Sequence, residues 1–194
     1  MMDENKHSYA GDSMRRVEDE EMITGAGCYT DDLQFPEMTH LHFVRSPYPH
    51  AKIKKMDLSA AMESEGVLAI YTANDLIRDG VNPYPIPGPP GDFVTQEILD
   101  QGYRNGNGEP MDPPRWLALA KDEVRYVGQP VVAILAESAE NALTASELVE
   151  VDYEELASVG TIQDAEKESA PAIWKGAPGN LLIQMEHGDA AKTD

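Results

Sequence analysis

Between residues 40 and 56 the hydrophobic and polar positions follow a strand-like pattern. HLHFVRS places Leu41 and Phe43 among residues that favour a pleated surface. SPYPH breaks the run, because Pro47 and Pro49 each restrict the residue before them. AKIKKMD resumes it, with Ile53 on one face and Lys52 and Lys54 on the other. DLSAAMESEG predicts a short helix capped by Ser59 and stopped at Gly66. GVLAIYT predicts a short buried strand. Thr72 and Asp75 then resemble a capping box with the shorter Asp in place of Glu, opening a helix over ANDLIRDG that ends at Gly80. Regular patterning returns at 117–127, LALAKDEVRYV, which predicts strand, turn and strand. Gly128-Gln129-Pro130 predicts a turn, and VVAILAE (131–137), the most apolar run, a central strand. Ser138 is placed to cap the helix AENALTASELV, with Glu140 in the first turn, where the helix dipole favours an acid. Ala142, Leu143, Ala145 and Val149 make its apolar side. VEVDYEEL alternates, with Val149, Val151 and Tyr153 opposite Glu150, Asp152 and Glu154.

Strand–helix–strand therefore occurs twice, at about 51–71 and 131–153, and predicts an α+β domain built around a mixed sheet. The organisation expected is a disordered polar leader (1–13), an extended arm with turns at Gly25 and Gly27 (14–39), the folded domain (40–160) and a C-terminal linker (161–194) whose one strand candidate is NLLIQME. The domain is interrupted by a proline- and glycine-rich loop at 81–116.

Charge narrows the function classes. The chain has 194 residues with a formal charge of −20, which repels phosphate backbones and anionic lipid heads and argues against nucleic-acid and membrane-surface partners. The single cysteine, Cys28, excludes an internal disulfide framework and an iron–sulfur cluster held by this chain alone. The first residues have no apolar core of a signal peptide, and no run approaches the ~20 apolar residues of a membrane helix, so a cytoplasmic protein is expected. Phosphate-loop, dinucleotide, zincin, CxxC and nucleophile-elbow motifs are all missing. His40-x-His42 shares a strand face but lacks an evident third metal ligand. Cys28 reads as a small hydrophobe, and Asp31-Asp32 as hydrogen bonding within a turn. Gly128-Gln129-Pro130 is either a rigid turn into the central strand or a means of presenting the Gln129 side chain to a partner, with Gly128 and Pro130 serving the fold.

The order of these pieces resembles the opening of the large, molybdenum-binding subunit of the xanthine dehydrogenase and aldehyde oxidase family, closest to its aerobic carbon monoxide dehydrogenase branch. The matching residues are Arg16, Glu18 and Asp19; Thr24, Gly25, Gly27, Tyr29, Asp31 and Asp32; Phe43, Val44, Arg45, Ser46 and Pro47 with His50 and Ala51; Gly66 and Val67; Asp75 and Leu76. The later run VRYVGQPVVAILAESAENALTASELVEVDYEEL matches as well, as do Gly179-Asn180 and Gly188-Asp189. The resemblance implies the α/β-hammerhead domain. It assigns no catalytic, cofactor or metal residue to this chain; Gly25, Gly27, Tyr29, Asp31, Asp32, Arg45, Ser46, Gly128, Gln129 and Pro130 are its structural or interface candidates. It implies that this chain alone binds no cofactor. The complete enzyme would carry molybdenum–molybdopterin of the cytosine dinucleotide type, with 2Fe-2S and FAD on partner subunits. The expected partners are the molybdopterin-binding remainder of the large subunit, which the sequence stops short of, and the iron–sulfur and FAD subunits. The implied reaction of the whole is oxidation of an aldehyde, N-heterocycle or carbon monoxide with oxygen from water. The chain would be a split subunit or a truncated product; the rival expectation is a non-catalytic assembly module that keeps the hammerhead fold.

Overall fold

The computed structural model describes residues 13, 16–84 and 114–181. They divide into two units, Met1–Met38 and Thr39–Asp194.

The N-terminal unit is not simply extended. Asp19–Thr24 form a helix (α1), with Asp19, Glu20 and Glu21 in its first turn, where the dipole favours acids. Thr24 Oγ1 donates back to the Glu20 carbonyl at 2.6 Å, and Gly25 ends the helix in the left-handed region at φ 74°. A single 3₁₀ turn follows at Thr30–Asp32, closed by Asp32, whose carboxylate accepts from the Tyr29 N–H at 2.8 Å. Cys28 is exposed rather than packed.

In the larger unit the strands are β1 (His40–Arg45), β2 (Ala51–Asp57), β3 (Val67–Thr72), β4 (Glu123–Val124), β5 (Pro130–Ala136) and β6 (Glu150–Glu155). The helices are α2 (Ser59–Met62), α3 (Ala73–Arg78), α4 (Ala139–Glu147) and α5 (Ile162–Ala165). The α+β class holds, but the expected mixed sheet is two antiparallel three-stranded sheets, ordered β1-β5-β3 and β4-β2-β6. The reason lies in the two strand–helix–strand units. Each sends one strand into each sheet, so β3 pairs with β5 and β2 with β6. The helix of each unit crosses between sheets instead of returning its chain to a parallel neighbour.

The centre is β5, in which Val131, Val132, Ile134 and Ala136 are fully buried. Each such aliphatic side chain contributes about 1.5–3 kcal/mol relative to exposure. Val132 and Ile134 pack with Ala145 of α4 in one cluster, while Ala133 between them meets Ala73 and Leu119 in another. Ala142 and Ala145 are the buried residues of α4; Leu143, expected on its apolar side, is half exposed. Ser138 caps this helix by accepting from the Asn141 N–H at 3.1 Å. The Thr72–Asp75 box also forms, with the Asp75 carboxylate accepting from the Thr72 N–H at 2.8 Å and hydroxyl at 2.7 Å. At α2 the capping oxygen belongs to Asp57 and not to Ser59, which is the first helical residue. Gly66 has φ 72°, and a Cβ there would overlap the Asn141 side chain, with its Cγ 2.9 Å away.

Two further expectations change. Residues 117–127 supply only the two-residue β4, because the segment gives single hydrogen bonds to several neighbours, such as Ala120 N–H to Pro130 O at 2.8 Å, instead of running along one strand. Within the supposed linker, Thr161 caps α5 by accepting from the Asp164 N–H at 3.1 Å. Asn180 then ties the following loop together. Its side chain accepts from Ile173 N–H at 2.9 Å and donates to Pro171 O at 3.0 Å and Ala165 O at 3.2 Å. Most of the 81–116 loop and of NLLIQME lies outside the described residues. Among the described residues no helix is long and apolar enough to cross a membrane.

Candidate docking site

The sequence-derived candidates fall into two groups. Gly25, Gly27, Tyr29, Asp31 and Asp32 lie in the N-terminal unit. Arg45, Ser46, Gly128, Gln129 and Pro130 come together where β1 meets β5, at a register shift between Val44 and Arg45. The Gly128 N–H donates to Ser46 O at 2.8 Å, the Ser46 N–H to Gln129 O at 2.9 Å, and Arg45 Nη1 to Gly128 O at 2.9 Å. Gly128 sits at φ 88° with open space where a Cβ would stand, so conformation and not crowding selects glycine. The Gln129 side chain is half-buried in the wall of a groove, and its carboxamide oxygen accepts from the Arg125 N–H at 2.7 Å. The turn positions Arg125.

His50, which the resemblance picks out without giving it a role, is one of two buried polar residues among the described residues, at 4% exposure. Its Nδ1 lies 2.6 Å from Ala157 O and its Nε2 2.7 Å from a Glu123 carboxylate oxygen. Both neighbours are acceptors toward the ring nitrogens. The second Glu123 oxygen accepts from Arg125 Nη2 at 2.8 Å. Arg125 Nε donates to Ile173 O at 3.1 Å, and the guanidinium lies 3.8 Å from the centre of the Trp174 ring. Burial pulls the Arg125 guanidinium down from its ordinary pKa, opposed by the carboxylates of Glu123 and Asp122. The chain His50–Glu123–Arg125–Trp174 thus fastens residues 157–174 onto β2 and β4. The only sequence signal for it is the HA pair after SPYP.

Beside this chain opens a groove of about 1000 Å³. Its aromatic lining is Tyr84, Trp116, Tyr126 and Trp174, and an isolated antiparallel bridge between Tyr84 and Trp116 fixes one wall. Arg115, Lys121 and Lys175 stand around it and are exposed.

The described residues do not fit a molybdenum cofactor. Among them no group of three or more His, Cys, Asp or Glu could hold a metal ion. A pterin dinucleotide also needs a cradle of free backbone amides. Here α2, α3, α4 and α5 all have their first turns closed by an oxygen of this chain, from Asp57, Asp75, Ser138 and Thr161.

The family described as aldehyde oxidase and xanthine dehydrogenase, a/b hammerhead domain, matches residues 24–102 and 91–157. The large subunit of nicotine 6-hydroxylase from Paenarthrobacter nicotinovorans is 34% identical over 161 residues, covering 79% of this chain and 17% of that protein. The carbon monoxide dehydrogenase large chain of Hydrogenophaga pseudoflava is 31% identical over 189 residues, covering 91% of this chain and 20% of that one. The crystal structure of a Cu,Mo-CO dehydrogenase superposes with a TM-score of 0.63 at 31% identity, over 83% of this chain and 17% of its own. The chain thus spans about a fifth or less of the length of these relatives. It belongs to the aldehyde oxidase and xanthine dehydrogenase family of molybdenum hydroxylases, as an α/β-hammerhead domain.

Proposed function

We propose that this chain serves as the N-terminal hammerhead portion of a molybdopterin-dependent hydroxylase large subunit and works by packing against the rest of that subunit. The supporting observation is the asymmetry of coverage: relatives align to 79% and 91% of this chain but only to 17% and 20% of themselves. The chain's own groups agree with a supporting role. Its His50–Glu123–Arg125 chain holds loops in place, and the starts of α2 to α5 carry oxygens of this chain. On this reading the complete enzyme oxidises an aldehyde, an N-heterocycle or carbon monoxide with oxygen from water. The metal is held on the remainder, by a pterin of the cytosine dinucleotide type, and electrons leave through 2Fe-2S and FAD partners in the cytoplasm.

The test is to produce the chain alone and together with the remaining large-subunit polypeptide. The expected result is no stoichiometric molybdenum and no dye-linked turnover of aldehydes, N-heterocycles or carbon monoxide for the chain alone, and a metal-containing complex with the remainder. Stoichiometric molybdenum in the isolated chain overturns the reading. Failure to associate leaves the chain as a non-catalytic assembly module.

A further inference from the structure

We infer that the groove lined by Trp116, Tyr126, Trp174, Arg115 and Lys175 is a protein–protein docking site, and that its occupant is a segment of the large-subunit remainder with an apolar anchor flanked by carboxylates. This rests on the proposed function and names the surface through which it acts.

The first argument is composition. Both tryptophans of the chain line this one groove. Trp, Tyr and Arg are the residues that most often dominate binding energy at interfaces. The second is exposure. Tyr84, Trp116 and Tyr126 are 63%, 50% and 56% exposed, so three large rings of the lining of one groove face water. Isolated exposed apolar residues are ordinary, whereas a contiguous group marks a contact surface.

The third is charge complementarity. Among the described residues Arg115, Lys121, Arg125 and Lys175 line the groove against Asp122 and Glu123, four cations to two anions, in a chain whose formal charge is −20. Arg125 and Glu123 neutralise each other at 2.8 Å, which leaves three cations facing one anion. A locally positive groove in a negative chain selects a partner segment bearing carboxylates and steers its approach. Single-stranded nucleic acid also favours aromatic and basic surfaces, but the charge of the whole chain opposes it.

The fourth is rigidity. Trp174 is stacked under Arg125, and Arg125 is held by Glu123, by Ile173 O and, through its backbone, by Gln129. A wall fixed in advance loses little side-chain freedom on binding. This gives the Gly128-Gln129-Pro130 turn its place in docking. Gln129 lines the groove itself, and its carboxamide oxygen holds the backbone of Arg125 in the same lining.

The test uses the 194-residue chain and a tagged polypeptide carrying the remainder of the large subunit, with affinity measured by titration. Trp116→Ser and Lys175→Glu are each expected to weaken binding about tenfold or more, with unchanged melting temperature. Lys55→Glu makes the same charge change on exposed β2, outside the groove lining, and is expected to stay within about twofold. Binding that survives both groove variants overturns the groove alone. Absence of any complex with the unsubstituted chain overturns the proposed function and the groove with it. Acrylamide quenching of the isolated chain supplies a separate check. Trp116 is expected to be quenched readily; protection that disappears when residues 85–113 are deleted would assign the groove to the chain itself and overturn the proposal. Tight binding of an oligothymidine strand, competing with the remainder, would also overturn it.

Discussion

Replacing His50 tests whether the buried ionic chain holds the C-terminal loop in place. His50→Ala removes the contacts at 2.6 Å to Ala157 O and at 2.7 Å to Glu123. The Ala157 carbonyl loses its ring partner, but Ala157 is exposed and its carbonyl can turn to water, so only the net hydrogen bond, about 0.5–1.5 kcal/mol, is lost there. Glu123 loses less, because its side chain is 24% exposed and keeps Arg125. The hole left by a ring that was 4% exposed adds a cavity contribution. Together these give about 1–3 kcal/mol, within the range of ordinary single substitutions. Urea unfolding of wild type, His50→Ala, Glu123→Gln and the double variant measures the sum and the coupling. A coupling of about 1–2 kcal/mol between the two sites is expected, as for residues in one hydrogen-bonded network. Hydrogen exchange should also show lost protection at Leu156, whose N–H donates to His50 O, and at Ala165 and Glu166, whose N–H groups donate to Thr161 O and Ile162 O around α5. A loss below about 0.5 kcal/mol with no coupling, the level of an ordinary surface change, would refute the idea that His50 anchors this region.

Three other outcomes follow from the same geometry. Gly66→Ala should cost more than Gly128→Ala in thermal unfolding: both positions have positive φ, costing about 1–2 kcal/mol for an L-residue, but only at Gly66 does the new Cβ meet a neighbour, Asn141; equal losses would refute the assigned crowding. Asn180→Ala should destabilise by about 1–3 kcal/mol, since its side chain serves two carbonyls and one N–H, and proteolysis should first appear between residues 165 and 180. The hydrogen bonds from Thr72, ahead of Arg78, hold the Asp75 carboxyl below its ordinary pKa of 3.8. Its contribution is therefore present above that value and lost as pH falls through the lower folded one, so the stability gap between wild type and Asp75→Asn should be open at pH 6 and close in acid; a gap independent of pH would refute the capping role.

The separate elements were readable because each is fixed by local chemistry. β5 follows from an apolar run, and α3 and α4 from capping oxygens at Thr72–Asp75 and Ser138. The site was less readable because its parts are close in space and remote in sequence. His50 and Glu123 are 73 positions apart, and His50 and Ala157 are 107. The HA pair after SPYP marks His50, but no periodicity there signals burial, and glutamine in GQP reads as facing either inward or outward. Only the fold shows that Arg125 needs the Gln129 oxygen. The lone short helices α1 and α5 were missed for a related reason: a run as short as Asp19–Thr24 or Ile162–Ala165 has too few residues to show a period.

The sheet arrangement gives these misreadings a common cause. A strand–helix–strand pattern read along the chain suggests that a unit's two strands share a sheet. Here the first unit is β2-α2-β3 and the second β5-α4-β6, and each strand finds its partner in the other unit: β2 with β6, β3 with β5. Neither unit therefore completes a sheet by itself. The pairing also explains the charges on β2. Lys52 and Lys54 look like ordinary solvent-facing residues in AKIKKMD, but both reach Glu154 of β6, at 3.7 and 2.9 Å. These exposed pairs add little stability; their use is in register, since a slip by one position would put like faces together. Reciprocal pairing brings the start of β2, with His50 just before it, against β4 and the end of β6. That is where Ala157 leaves the sheet and Glu123 and Arg125 stand. The buried ionic chain and the groove beside it are thus products of how the two units interlock, which neither unit's sequence contains.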